Sequence, residues 1–365
     1  AAVVYFCVSY QAEPRLWRAL AAGAAMLAAT LTRYEGWFAI PFVAVFFLLA
    51  GSRTAAAVFL VVAGLGPLYW LGHNWYFYGD ALEFYRGPYS AQAIYARGLA
   101  RGHAPFPGEH DLPAAWLYYR TAAETVLGRP VVWLGGVAAV VVAIRRTTRP
   151  LLLLAAPAAF YLLSLYGGGT EIFLPSLRPF SYYNTRYALA ALPFCAAAVG
   201  ALVALCPRPL LRAAAAAALM SVCLGGWAAR PSVESWVCWK EAEVNSRGRR
   251  AWTQKAAEFF RDRYAPGDGI LTASGDVLAI YQTAGIPLRE TLHDGSQLQW
   301  YSAVWRPDLF LRQRWVVALA GDTISFNLVN PKRFSSVATR VAVFSAEQRR
   351  ADLALRHLAH HHVHP

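Results

Sequence analysis

The feature that most constrains this chain is a series of apolar runs, each near the length of a membrane-spanning helix and separated from the next by polar residues. The runs cover about residues 1–9, 17–31, 37–50, 53–71, 131–144, 150–166, 187–206 and 210–228. Because a helix needs about 20 apolar residues to cross a bilayer, the shorter runs predict broken or tilted helices around a cavity. We therefore predict a mainly α fold, with a polytopic membrane domain of about seven or eight helices over residues 1–229.

Composition excludes an ordinary soluble protein. Of the 365 residues, 57% are hydrophobic and 15% are charged, whereas about a quarter of the residues in average soluble domains are charged. The net charge of +13 does not indicate nucleic-acid binding, because the basic residues do not form one patch. The five cysteines show neither CxxC nor metal-ligand spacing, so no disulfide framework or metal site is predicted. Since the sequence opens with apolar residues and no basic flank, we expect an N-terminal portion to precede it.

Arginines in the short turns predict the orientation of the helices. One set of turns carries basic residues: Arg15, Arg18, Arg53, Arg145, Arg146, Arg149, Arg208 and Arg212. The positive-inside rule assigns these turns to the cytoplasm. The opposite, extracytoplasmic side then carries the turn around Arg33, the segments 72–130 and 167–186, and everything after residue 229.

The turn Thr32 to Trp37 places two ionisable side chains, Arg33 and Glu35, between apolar segments that contain no charge. Ionised groups in or beside a bilayer are costly and often functional. One interpretation is a structural turn, in which Arg33 pairs with Glu35 and Trp37 anchors the interface. The other is a polar site at the membrane face, which requires partners elsewhere in the chain.

The long outer segment 72–130 predicts a functional loop with helices of its own. Its aromatic residues place it at the membrane interface, and residues 113–127 predict a helix that lies on the membrane surface. Segment 167–186 begins with three glycines and predicts an irregular connection rich in tyrosine and arginine.

Residues 230–365 carry charges throughout and predict a small extracytoplasmic α/β domain. We expect helices at 249–264 and 276–284, and strands at 270–273, 315–320 and 340–345. Ser274 or Asp276 is expected to cap the second helix rather than to bind phosphate. The histidine-rich end, with His357, His360, His361, His362 and His364, predicts a disordered tail.

The outer segments together supply carboxylates and arginines among many aromatic residues. The carboxylates are Glu35, Asp80, Glu83, Glu109, Asp111 and Glu171, and the arginines are Arg33, Arg86, Arg178 and Arg186. The planar guanidinium suits phosphate, aromatic faces suit sugars or lipid, and a carboxylate can act as a base. This combination favours an anionic lipid headgroup as the substrate.

Three motifs in this order resemble bacterial polytopic glycosyltransferases of the GT-C class, relatives of the protein O-mannosyltransferases and aminoarabinose transferases. They are Thr32 to Trp37 opening a membrane helix, Asn74 to Asp80 starting the long outer loop, and Arg186 to Pro193 entering a late helix. The resemblance covers most of residues 1–229 and implies transfer of a sugar from a polyprenyl-phosphate carrier at the outer face of the bacterial cytoplasmic membrane.

The resemblance also implies residue roles. In that family an aspartate in the first outer loop acts as the base or positions the acceptor, and we expect this residue to precede the present sequence. Arg33 would contact the carrier phosphate or organise the site through Glu35. Asp80 and Glu83 would approach the acceptor or the sugar. The remaining substrate-binding candidates are Tyr34, Arg86, Arg178, Tyr183 and Arg186.

Arginines that stabilise the departing phosphate can replace a divalent metal, so no cofactor is predicted, although a metal is not excluded. The acceptor stays open among protein, lipid A, glycan and lipid. Two other classes of function also remain: a transporter or flippase of lipid-linked saccharide, and a non-catalytic membrane scaffold. The absence of an internal sequence repeat favours the enzyme over the transporter.

Overall fold

The computed structural model describes residues 1–87, 90–100, 102, 105–229, 232, 235–319, 322–329, 339–346 and 349–357. It is mainly helical (72%) and contains a small sheet. Two compact units divide the chain, one over residues 1–241 and the other over residues 242–365.

Helices build the first unit. They are α1 (Ala2–Ala12), α2 (Leu16–Thr32), α3 (Glu35–Leu49), α4 (Arg53–Tyr78), α5 (Glu83–Arg86), α6 (Ala91–Ala100), α7 (Leu112–Leu127), α8 (Arg129–Ile144), α9 (Ala156–Tyr166), α10 (Leu192–Val203) and α11 (Pro209–Ala228). Short 3₁₀ segments, Arg149–Ala155 and Thr185–Ala191, lead directly into α9 and α10. Each of the apolar runs lies in one of these helical segments, and the helix predicted at 113–127 is α7.

Four helical segments of the described chain are long and apolar enough to cross a membrane: Arg53–Tyr78, Arg149–Tyr166, Thr185–Val203 and Pro209–Ala228. Helices α7 and α8 pass the same test of length and composition when they are counted together as one span. The chain bends by 116° between them. Helices α1, α2 and α3 are apolar but shorter. The structure thus confirms a mainly helical chain with several helices that are long and apolar enough to span a membrane.

Small residues allow the helices of the first unit to approach closely. A Cβ on Gly135 of α8 would lie 2.7 Å from Cys195 Sγ and 3.1 Å from Cys195 Cα, on α10. Gly136, the next residue, has no atom within 4 Å of such a Cβ. Close contact through glycine is the usual way in which membrane helices gain packing energy, since lipid supplies no hydrophobic force between them.

Two groups of turns lie at opposite ends of the helices. At the end predicted to be cytoplasmic, Gln11 Nε2 donates a hydrogen bond to the carbonyl of Arg146 (2.5 Å) and joins the end of α1 to the turn after α8. At the other end, the backbone N–H of His110 donates to the carbonyl of Tyr166 (2.9 Å), which joins the long loop to the end of α9. The grouping of these turns follows the sequence pattern, while their sidedness in a membrane stays a prediction.

The second unit is a small α/β fold around a mixed sheet. The elements are α12 (Val237–Arg263), which begins in the first unit, and then β1 (Ile270–Leu271), α13 (Leu278–Ala284), β2 (Thr291–Leu292), α14 (Leu298–Trp305), α15 (Pro307–Phe310), β3 (Trp315–Ala318), β4 (Thr339–Ala346) and β5 (Arg349–His357). The strand order is β2-β1-β3-β5-β4. Strand β1 pairs in parallel with β2 and β3, whereas β5 pairs antiparallel with β3 and β4.

Asp268 links the turn before β1 to the start of β3 through hydrogen bonds. Its carboxylate accepts hydrogen bonds from Trp315 Nε1 (3.0 Å), from the backbone N–H of Ala265 (3.1 Å) and from Arg314 Nη1 (3.2 Å). Burial acts to raise the pKa of Asp268, but these donors outweigh it and hold the pKa below its ordinary value. Phe260 of α12 packs edge-on against the Trp315 ring, with centroids 5.5 Å apart.

Some expectations for this unit were wrong in detail. Neither Ser274 nor Asp276 caps α13, whose N-cap is Val277 without a side-chain bond. Ser274 instead bonds to Asp294, and Asp276 pairs with Arg249 (2.6 Å). The capping prediction was wrong because it considers only neighbouring residues, whereas both side chains bond to residues at least 20 positions away in the chain. His357 ends β5 rather than belonging to the tail, and the other tail histidines lie outside the described residues.

Candidate functional site

The turn between α2 and α3 presents the polar cluster that we expected on the sequence. Helix α2 ends at Thr32, and Arg33 adopts an extended conformation with φ −153° that carries the chain away from it. Trp37 Nε1 donates a hydrogen bond to the carbonyl of Thr30 (3.0 Å) and closes the turn. Gly36 is needed there, because a Cβ would lie 3.0 Å from the backbone of Ala29 and Thr30.

Arg33 and Glu35 form an ion pair with a third partner, Tyr161 of α9. Arg33 Nε donates to Glu35 Oε1 at 2.8 Å, and Arg33 Nη2 donates to Tyr161 Oη at 2.7 Å. The Tyr161 hydroxyl in turn donates to Glu35 Oε1. The carboxylate also lies in the first turn of α3, where the helix dipole favours negative charge. The structure contains the Arg33–Glu35 pair of the structural-turn interpretation, and Tyr161 is a partner from elsewhere in the chain, which the polar-site interpretation requires.

This cluster leaves part of the guanidinium available. The Arg33 side chain is 62% exposed, whereas that of Glu35 is only 14% exposed. Within the part of the chain that the structure describes, Nη1 of Arg33 donates no hydrogen bond. Glu35 and Tyr161 therefore fix the direction of Arg33 while one edge of its planar fork can bind a further anion.

The cluster opens onto a cavity of about 590 Å³ in the first unit. Its polar part includes Arg33, Glu35, Tyr161, Arg186 and Tyr187. Its apolar wall includes Met26, Val43, Leu153, Pro157, Leu189 and Pro193. A volume of this size, mostly apolar with a few convergent polar groups, is typical of a ligand site.

Arg186 brings a second positive charge to the cavity. Tyr187 stacks on Tyr161 with ring centroids 4.7 Å apart and planes at 19°. The Arg186 guanidinium lies over the Tyr187 ring, 5.2 Å from its centroid. Arg186 makes no ion pair with any residue that the structure describes, and it is exposed. With Arg33 and Glu35 also ionised, the polar part of the cavity carries a net charge of about +1 and favours an anion.

Glu241 determines where Arg186 and Tyr187 lie. This carboxylate is 7% exposed and accepts hydrogen bonds from the backbone N–H groups of Asn184 (2.8 Å) and Thr185 (2.9 Å), and from the Thr185 hydroxyl. It thus caps the N-terminus of the helical segment that begins at Thr185 and contains Arg186. No local pattern in the chain indicates this role, because the contact joins residues 56 apart.

Tyr34 lies outside the cavity, in an aromatic cluster beside it. Its ring stacks on Phe84 of α5, with centroids 4.9 Å apart, and its hydroxyl accepts a hydrogen bond from Trp70 Nε1 (3.2 Å). Trp37 contacts both rings edge-on. The segment that follows α4 therefore packs on the turn that carries Arg33.

The other candidates in the long loop and in segment 167–186 do not line the cavity. Asp80 accepts a hydrogen bond from the backbone N–H of Leu82 (2.9 Å) in its own turn. Glu83 and Arg86 are the first and last residues of α5. Tyr183 pairs with Phe173 in an isolated β-bridge, and Arg178 is exposed, with its carbonyl accepting from Tyr118 Oη (2.7 Å).

The described residues contain no group of three or more His, Cys, Asp or Glu side chains that could hold a metal ion. The polar groups that converge on the cavity are instead arginine, tyrosine and one carboxylate. Guanidinium and phenol groups are hydrogen-bond donors, so the site is suited to binding an oxyanion directly.

Two of the three sequence motifs singled out above meet at this cavity. Thr32 to Trp37 supplies Arg33 and Glu35, and Arg186 to Pro193 supplies Arg186 and Tyr187. The third, Asn74 to Asp80, lies at the end of α4. Comparison with protein-family profiles, with curated proteins and with solved structures finds no match to this chain.

Proposed function

We propose that this chain belongs to a membrane glycosyltransferase that uses a polyprenyl-phosphate sugar as its donor, at the outer face of a bacterial cytoplasmic membrane. The observation that carries the proposal is the cavity of about 590 Å³, in which two arginines stand beside an apolar wall. A polyprenyl phosphate has the same two parts, an anionic head and an apolar chain. That the carrier holds a sugar is proposed from the order of the three sequence motifs, which resembles that of GT-C glycosyltransferases.

In the proposed reaction, an acceptor hydroxyl attacks the anomeric carbon of the sugar. A new bond forms between the acceptor oxygen and that carbon, and the bond from the carbon to the phosphate oxygen breaks. The bonding electrons leave with the phosphate, and the acceptor proton passes to a base. Negative charge on the phosphate therefore grows in the transition state, and positive groups already held in place lower the barrier.

The residues of the cavity fit the binding part of this reaction. The open edge of Arg33 and the guanidinium of Arg186 are assigned to the carrier phosphate. Glu35 and Tyr161 hold Arg33 in one orientation, so that little reorganisation is needed when charge develops. Because Glu35 is already paired with Arg33, it is assigned a positioning role and not that of the base. Asp80 and Glu83 remain candidates for approach to the acceptor.

The test uses the full-length protein that the gene encodes, including any residues beyond this sequence, in lipid nanodiscs with a radiolabelled polyprenyl-phosphate sugar and envelope extract as the source of acceptors. We expect release of the carrier and label on an acceptor. Arg33→Gln and Arg186→Gln should each weaken binding of polyprenyl phosphate by about tenfold or more, since a charge-assisted hydrogen bond contributes about 1.5–3 kcal/mol. Arg53→Gln, an exposed arginine at the N-terminus of α4, is the matched control.

Other outcomes would reject the proposal. Equal binding of polyprenyl phosphate and of the uncharged polyprenol would show that the arginines do not recognise phosphate. Movement of the lipid-linked sugar across a vesicle membrane without transfer would identify a flippase. If the wild-type chain neither binds nor moves the carrier, a scaffold function replaces the enzyme.

A further inference from the structure

A second, larger cavity opens at the other end of the same helices. It has a volume of about 1160 Å³ and lies among α1, α3, α9 and the 3₁₀ segment before α9. Its apolar wall includes Phe42, Val45, Phe46, Leu49, Leu152 and Ala159. We call it the basic-end groove, because Arg146 and Arg149 are the charged side chains among the described residues that line it.

The basic-end groove has the depth of one lipid leaflet. Its lining runs from Pro41 of α3 to Ala50, the residue that follows the helix. At 1.5 Å per residue this stretch extends for about 14 Å along the helix axis, which is close to half of the ~30 Å hydrocarbon core. The lining of the Arg33 cavity on α3 runs from Glu35 to Val43. The two linings therefore follow one another along α3 with an overlap between Pro41 and Val43, and Leu153 lines both cavities.

The charges at the groove select an anion. Arg146 and Arg149 are exposed, and no carboxylate from the described part of the chain lines the groove. Arg149 Nε donates to the carbonyl of Ala143 (3.0 Å), and Gln11 holds the backbone of Arg146. These bonds fix the turn that carries both arginines at the mouth of an apolar channel. Basic pockets between membrane helices at a cytoplasmic face are suited to anionic lipid headgroups.

We propose that the basic-end groove binds one anionic phospholipid of the bilayer. Its phosphodiester head contacts Arg146 and Arg149, and an acyl chain lies along α3 beside Phe42, Val45 and Leu49. The proposal does not depend on sugar transfer. It rests on the groove's depth, its apolar wall and its unbalanced positive charge, and it assigns the bound lipid to the leaflet on the side of the basic turns.

The test places the full chain in phosphatidylcholine nanodiscs that contain a minority of phosphatidylglycerol with a photoactivatable acyl chain. Cross-links are expected at Phe42, Val45 or Leu49, and native mass spectrometry should show phosphatidylglycerol retained in preference to phosphatidylcholine. The double substitution Arg146→Gln and Arg149→Gln should reduce the retained phosphatidylglycerol about 30-fold, or about 2 kcal/mol, at about 1 kcal/mol per arginine.

The control is Arg145→Gln, which removes an exposed arginine of the same turn that does not line the groove. Its retention of phosphatidylglycerol should match that of the wild type. The charge-conserving double substitution Arg146→Lys and Arg149→Lys should recover most of the binding, which separates lost charge from misfolding. Higher salt should lower the preference for phosphatidylglycerol.

Three results would overturn the proposal. Equal retention of phosphatidylcholine would show an apolar groove without headgroup recognition. Displacement of phosphatidylglycerol by polyprenyl phosphate, with the same dependence on Arg146 and Arg149, would assign the groove to the carrier. Cross-links between two copies of the chain at Phe42 or Leu49 would identify it as a protein interface.

Discussion

Glu241→Ala is the substitution that tests most directly how the cavity is positioned. The wild-type carboxylate accepts from the backbone N–H groups of Asn184 and Thr185 and from the Thr185 hydroxyl, and it is almost fully buried. Alanine has no acceptor, so three buried donors lose their partner. The segment that carries Arg186 and Tyr187 should then open more easily, although neither of these residues is changed.

The size of the effect follows from the number and type of bonds. A hydrogen bond to a charged group contributes about 1.5–3 kcal/mol. Since water can enter the space left by the side chain and replace part of this, we expect local opening to become easier by about 3 kcal/mol in total. This corresponds to roughly 100-fold faster amide exchange over residues 184–191. Thr185→Val removes only the hydroxyl donor and should cost about 1.5 kcal/mol, which corresponds to roughly tenfold faster exchange.

Hydrogen exchange on the full chain in nanodiscs measures these rates, and binding of polyprenyl phosphate measures the consequence for the cavity. Glu258→Ala is the matched control, because Glu258 lies on the same helix, is exposed and accepts its hydrogen bond from Gln254. The positioning role would be refuted if Glu241→Ala left exchange over 184–191 unchanged. Faster exchange with unchanged carrier binding would show that Arg186 does not contact the phosphate.

Three further substitutions test the packing and electrostatics. Tyr161→Phe removes the hydroxyl that joins α9 to the charged pair, and should weaken polyprenyl-phosphate binding by about tenfold, the equivalent of one hydrogen bond to a charge. Gly135→Val should destabilise the contact of α8 with α10 by about 1–3 kcal/mol through overpacking against Cys195, measured as a lower thermal midpoint in detergent, whereas Gly136→Val should be nearly neutral. Asp268→Asn should destabilise the second unit at neutral pH, measured by proteolysis of the full chain. Because the folded pKa of Asp268 is lowered, its contribution is present above the unfolded value of about 3.9 and is lost as the pH falls through the folded value, so the variant and the wild type should converge in acid.

For each of these substitutions, one result would contradict the expectation. Unchanged carrier binding in Tyr161→Phe would mean that Arg33 is positioned without the phenol. Equal losses in Gly135→Val and Gly136→Val would point to a helix-propensity effect and not to contact with Cys195. A difference between Asp268→Asn and the wild type that persists at low pH would show that the ionised carboxylate is not what stabilises the unit.

The sequence predicts those contacts of the site that join residues close together in the chain. Arg33 and Glu35 are two residues apart between apolar runs. Their side chains can therefore reach each other, and pairing avoids the cost of an isolated charge beside a bilayer. Tyr161 lies 126 residues from Glu35 in the chain. It sits in an apolar run, where a tyrosine is ordinarily an interfacial aromatic residue, and nothing in the run marks it as a partner.

The small sheet also contains strands that local sequence patterns do not reveal. Strand β1 has two residues and β2 has two, which is too short for an alternating pattern to be recognised. The sequence predicts strands at the positions of β1 and β3 but none at β2. Strand β5 contains Arg349, Arg350, Asp352 and Arg356, a composition that suggests a charged tail. Its pairing with β3 and β4 is a tertiary effect that overrides the local composition.

Helix α3 connects the two proposed binding sites. After Glu35 it contains no charged residue, and only Val43, Ala44 and Phe47 of it are buried. A helix that is apolar on all sides must be covered by protein or by lipid, and here the protein covers only part of it. The uncovered part faces the Arg33 cavity in its first half and the basic-end groove in its second. In each half the apolar wall ends at arginines, so each favours a ligand with an apolar chain and an anionic head over either part alone.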